Sequence, residues 1–140
     1  MEFRCAMSNR TVLLVDDCPE NLKLLTWLLK FGGYTVWTAT GGPEALEKLL
    51  KAMPEGVLTD IQMPGMNGIE LTRRIRSDPR TADLSILAIS ANAMPENIDE
   101  AYEAGCDGYI TKPIDTRTFA AQVDVYLDRG RTKQSHLLLA

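Results

Sequence analysis

Three carboxylates and one lysine stand at the ends of short apolar runs in this chain. Asp16 and Asp17 follow Thr11–Val15, Asp60 follows Val57–Thr59, and Lys112 follows Tyr109–Thr111. If these runs are parallel strands of one sheet, the four charged groups meet at the edge where open α/β sheets bind ligands. Acids gathered there repel one another, and a hard divalent cation offsets that cost. Mg²⁺ suits the place, because it is usually held by one or two carboxylates together with waters and phosphate oxygens. Asp60 also precedes Ile61–Pro64, Gly65 and Gly68, a loop whose composition lets the backbone come close to a ligand. A carboxylate so placed can attack phosphorus to give an aspartyl-phosphate, with a metal ion screening the anionic charge of both reactants. Lys112 offers a phosphoryl oxygen a point charge with three donors. Ser90, after Ile86–Ile89, adds a hydroxyl able to bond the same group.

Each of these residues has a plainer reading when taken singly. Asp16 and Asp17 form a solvated turn before Pro19, and Asp60 is a cap or turn residue. Lys112 is then a surface lysine before Pro113, and Ser90 an ordinary strand-end serine. Only the set points to a cation and a phosphoryl group.

The elements that must position the set follow from hydrophobic periodicity. Apolar, β-rich runs at 11–15, 35–39, 57–60, 85–90 and 108–111 alternate with segments of helical period, the pattern of βαβ units on a parallel sheet. Five strands and five helices are predicted. The first helix follows Pro19 and places Leu22, Leu25 and Leu29 on one face before Gly32 and Gly33 stop it. The second runs from Pro43 to about Met53. The third starts near Gly68, with Ile69, Thr72 and Ile75 as its buried stripe, and ends before Asp78-Pro79. The fourth spans Pro95 to Ala104, and the last runs from Thr116 to about Leu127, with Phe119, Ala120, Val123 and Leu127 covering the core. Trp27 and Trp37 are read as packing residues, with room for one of them to be partly exposed, Met63 and Met66 as cover for the loop beside Asp60, and Arg73, Arg74 and Arg76 as a solvated helix face, with a docking patch as the alternative.

Length and composition fit one domain over residues 10–128, with an N-terminal extension at 1–9 and a tail at 129–140. A net charge of −4 gives no sign of a nucleic-acid surface. Cys5, Cys18 and Cys106 have no metal-ligand spacing, and their odd number argues against a disulfide framework. No apolar stretch has membrane-spanning length and the N-terminus has no signal-peptide core, so a cytoplasmic location is expected. His136, in the tail, is expected to be solvated.

Asp16-Asp17, the run Asp60–Gly68, Ala88–Ala91 and Gly105–Pro113 together resemble the receiver domain of two-component response regulators, over about Arg10 to Asp128. Each piece is weak alone, but their order and spacing are specific. The resemblance implies a flavodoxin-like, doubly wound (βα)5 fold whose five parallel strands run in the order 2-1-3-4-5. It makes Asp60 the phospho-acceptor, and Asp16, Asp17, Asp60 and the backbone carbonyl of Gln62 the Mg²⁺ ligands. Lys112 becomes the partner of the phosphate, Ser90 the hydroxyl that turns toward it, and Tyr109 the aromatic switch behind it. Asn92 and Gln62 fall where the family sets the lifetime of the phosphorylated form. Cys18 and Thr59 depart from the family's more usual polar and apolar residues without removing a required group.

The expected protein is a single-domain, CheY-like switch. It catalyses its own phosphorylation and slow dephosphorylation, taking the group from a histidine kinase or histidine phosphotransfer protein and acting on a downstream protein target. Alternatives are a phosphorelay intermediate or a receiver excised from a hybrid histidine kinase. The oligomeric state, monomer or dimer, is left open. A haloacid-dehalogenase-type phosphatase would need a second acid where Gln62 stands, and glutamine cannot do acid–base work. A flavin mononucleotide carrier would meet repulsion between its phosphate and Asp16-Asp17. A receiver fold that only binds partners has no use for the intact acid, lysine and serine set.

Overall fold

A computed structural model describes residues 10–128; the predicted extension at 1–9, the tail at 129–140, Cys5 and His136 lie outside the described residues. Strand β1 (Thr11–Val15) leads to helix α1 (Pro19–Phe31), β2 (Thr35–Ala39), α2 (Gly42–Lys51), β3 (Gly56–Asp60), α3 (Gly68–Ser77), β4 (Ser85–Ser90), α4 (Pro95–Ala104) and β5 (Gly108–Thr111). Residues 119–128 form the last helix, α5. The five strands are parallel, in the order β2-β1-β3-β4-β5. This is the doubly wound order that the resemblance implied.

The strand sequences explain why helices cover both faces. Successive strand residues point to opposite sides of a sheet, and here both sets are apolar. Leu13, Val15, Val57, Ile86 and Ala88 pack under Ala45 and Leu49 of α2, Ile69 and Ile75 of α3, and Ala101 of α4. Val12, Leu14, Leu58, Leu87 and Ile89 pack under Leu25 and Leu29 of α1 and Phe119, Val123 and Leu127 of α5. Each fully buried leucine or phenylalanine of this kind contributes roughly 1.5–3 kcal/mol over an exposed one. The chain winds from β1 to β2 in one direction and returns to β3 on the other side of β1, so the switch in winding falls between β1 and β3.

Helix boundaries carry the local signals read in the sequence. Pro19 opens α1 and Pro95 opens α4. The Asn67 side chain caps α3 by accepting from the Glu70 amide at 2.9 Å. Gly105, at φ +120°, ends α4 in a conformation that a side chain disfavours. Differences from expectation are small: α2 starts at Gly42 and stops at Lys51, and α5 starts three residues late, because 116–118 form a turn.

Two side-chain expectations need correction. Trp27 does not pack inside: it is 62% exposed and stacks on Phe31, itself 80% exposed, with ring centroids 5.6 Å apart. The core face of α1 is already filled by Leu25, Leu28 and Leu29, which turns Trp27 outward. Trp37 does lie against the core. Arg76 does not share the solvated face of Arg73 and Arg74; its guanidinium turns inward onto Gly105, Ala82, Leu84 and Asp107.

Candidate functional site

Asp16 and Asp17 leave β1 and Asp60 ends β3, on the two sides of the switch in winding. One carboxylate oxygen from each lies within 4.8 Å of the others. Asp16 and Asp60 are buried and Asp17 is exposed, so the cluster opens to solvent on one side. The Lys112 ammonium stands 3.4 Å from Asp60 Oδ2 and 4.0 Å from Asp16 Oδ2. One ammonium facing three carboxylates leaves an excess of negative charge. These donors are all carboxylate oxygens, with no histidine or cysteine among them, which suits a hard cation such as Mg²⁺ rather than a soft one.

Backbone geometry fixes the acids. Asp16 Oδ1 accepts from the Cys18 amide at 2.9 Å, at the entry to α1. Asp60 Oδ1 faces the Gln62 amide at 3.4 Å, so the loop after β3 curls back over its own carboxylate. Gly68 makes that curl fit: its amide donates to the Ile61 carbonyl, and a Cβ on it would sit 2.4 Å from the Asp60 carbonyl oxygen. The Thr59 hydroxyl, fully buried, donates to that same carbonyl at 3.0 Å. The pKa of Asp60 is raised, first by burial and then by the Asp16 charge, with Lys112 and the Gln62 amide working against the shift.

The remaining predicted residues lie on the neighbouring strands and loops. Strand register pairs Asp60 with Ile89 and Ser90 with Thr111, which brings Ser90 and Lys112 to the same edge. Ser90 is buried, and its Oγ accepts from the Asn92 amide at 3.0 Å. The Tyr109 ring packs on the core while its hydroxyl donates to the Asn92 carbonyl at 2.6 Å. Asn92 therefore joins the strand-end serine to the tyrosine through its backbone, the amide on one side and the carbonyl on the other, a link that no spacing rule announces. The Gln62 side chain is exposed, Met63 is buried and Met66 packs against the core and onto Gly42. The peptide between Lys112 and Pro113 is cis.

A doubly wound sheet with an acid cluster and a lysine over its switch point defines an α/β protein with an acidic pocket at its strand ends. The family model for the response regulator receiver domain matches residues 12–124, and the chain belongs to that family. The polar-differentiation response regulator DivK of Brucella anthropi is 31% identical over 118 residues, covering 84% of this chain and 96% of the relative. The chemotaxis protein CheY4 of Vibrio cholerae superposes with a TM-score of 0.81 at 30% identity, over 84% of this chain and 98% of that one. The signal receiver domain of a histidine kinase from Syntrophus aciditrophicus gives 0.78 at 27%, over 85% and 90%. The chain is thus a signalling switch of two-component systems. Receiver domains bind Mg²⁺ at an acidic cluster and work between histidine kinases or phosphotransfer proteins and downstream targets. Among the described residues no helix is long and apolar enough to cross a membrane.

Proposed function

We propose that this receiver domain accepts a phosphoryl group from a phosphohistidine onto Asp60 and thereby switches its contacts with a downstream protein in the cytoplasm. The observation that carries this reading is the convergence of Asp60 with Lys112 at 3.4 Å beside two further carboxylates. An Asp60 carboxylate oxygen attacks phosphorus as the P–N bond to the donor imidazole breaks, and the imidazole keeps the electron pair and takes up a proton. Asp16, Asp17, Asp60 and the Gln62 carbonyl would hold Mg²⁺, which when bound neutralises charge on the transferring oxygens. Lys112, already between Asp60 and Asp16, pairs with a phosphoryl oxygen. Ser90 gives up the Asn92 amide to donate to another oxygen. That exchange disturbs the backbone at Asn92, and with it the carbonyl that anchors the Tyr109 hydroxyl, so the site is read at the α4–β5 surface.

Incubation with phosphoramidate or acetyl phosphate and Mg²⁺ tests the reading directly. The wild-type chain gains one phosphoryl mass and Asp60→Asn gains none; labelling that survives Asp60→Asn would sink the assignment. Tyr109→Ala should keep the uptake and weaken partner binding. A second reading, a receiver that serves within a hybrid histidine kinase, draws on the likeness to the Syntrophus domain and uses the same chemistry at Asp60.

A further inference from the structure

Helix α4 is seated very differently at its two ends. Its first six residues, 95–100, include none that is buried, and its N-cap Met94 makes no side-chain capping bond. Its buried residues are Ala101 and Ala104, both in the last turn, and Cys106 just beyond is buried as well. That last turn is also clasped by α3. Arg76 donates from Nε and Nη2 to the Gly105 carbonyl at 3.0 and 2.7 Å, and from Nη2 to Asp107 at 2.9 Å. Its Nη1 donates to the carbonyls of Ala82 and Leu84 at 2.7 and 2.5 Å. These bonds use all five N–H groups of a planar guanidinium, so the fork has one orientation. One turn earlier on the same face of α3, the Thr72 hydroxyl meets Cys106 Sγ at 3.6 Å. Asp107 completes the clasp by accepting from the Ile86 amide of β4 at 2.9 Å.

We infer that α4 is a lever hinged at its C-terminal turn, with Arg76 as the positioning residue that holds the hinge. Rearrangement of the Ser90–Asn92–Tyr109 link enters at the free end, through 91–94, and swings Pro95 and the following turn while 101–107 stay fixed to α3 and β4. The whole helix does not slide. This deepens the proposed function, because the disturbance that moves the lever rests on phosphorylation of Asp60.

Amide hydrogen exchange resolved by residue on the full chain tests the hinge, first without any phosphoryl donor. Local opening of few-contact segments is cheap, so exchange at 97–100 is expected to be at least about tenfold faster than at 104–107; equal protection at both ends overturns the inference. With phosphoramidate, and uptake verified by mass, changes should concentrate at 95–100, and equal changes at 101–107 overturn it too. Arg76→Lys, which cannot keep the fork, should let exchange at 104–107 rise toward that of 97–100. If Arg76→Lys fails to fold, Asp107→Ala, which removes the oxygen that accepts from both Arg76 and the Ile86 amide, carries the same expectation, and unchanged protection at 104–107 in the folded variant counts against the clasp. Failure of uptake alone speaks against Asp60 as acceptor, while the first comparison still judges the hinge.

Discussion

The two ends of the sheet use charge in opposite ways. At the end where strands begin, opposite charges are paired: Arg10 pairs with Asp128 and Glu55 through Nη2 and Nε, although its buried Nη1 has no hydrogen-bond partner, and the buried Tyr34 hydroxyl donates to Asp124. Burial and then that carboxylate push the Tyr34 phenol well above its ordinary pKa, so the phenol stays a neutral donor. At the end where strands finish, Asp16, Asp17 and Asp60 cluster together, and one lysine reaches Asp16 and Asp60. Both ends are carried by the same strands. The paired end ties α5 to the sheet, whereas at the other end Lys112 offsets only part of the repulsion among the acids.

Mg²⁺ gives the widest break in this contrast. At a hundred times its Kd it should stabilise the chain by about 2.7 kcal/mol, read as a raised Tm that a chelator reverses and that Asp17→Asn reduces. No Tm response would mean that the acids are not a cation site. Next comes Tyr34→Phe at the opposite end, which leaves Asp124 without its donor and should cost about 1–3 kcal/mol in urea unfolding. Phosphoryl uptake should not change, because nothing at the acid cluster is touched.

Asp60→Asn without Mg²⁺ should act in the other direction and by less, since Lys112 and the Gln62 amide already offset part of the burial cost. A raised folded pKa means that the native state holds the Asp60 proton more tightly than the unfolded chain. The wild type therefore loses stability as pH rises from the unfolded carboxylate range through the folded pKa, and the cost is fully present above it. The variant should lack that fall and be the more stable protein at neutral pH; equal pH profiles would contradict the repulsion. Glu70→Gln, which breaks the exposed 3.3 Å pair with Arg74 on α3, should shift stability by no more than about 0.5 kcal/mol.

Much of this architecture is legible in the chain. Strand runs, helix stops at glycine and the stripe Ile69, Thr72, Ile75 are local or periodic signals, and the acids announce themselves by ending apolar runs. Arg76 and Trp27 were not legible for a shared reason. Helical phase alone leaves Arg76 at the margin of a charged face, and only the distant turn at 105–107 supplies the acceptors that draw it inward. Trp27 has the size and hydropathy of a core residue, but three leucines on the same helix fill the space. Tyr34 with Asp124 and Tyr109 with Asn92 likewise depend on pairings across the fold that no window of sequence contains.

The strand order described above also bears on how fast the chain reaches its native state. No neighbouring strands are joined by a hairpin, and of the four pairings β1–β3 spans the longest stretch of intervening chain. Closing a longer loop costs more chain entropy and slows folding. That same closure brings Asp16 and Asp17 up to Asp60, so the kinetic bottleneck of topology and the electrostatic penalty of the site fall on one pair of strands.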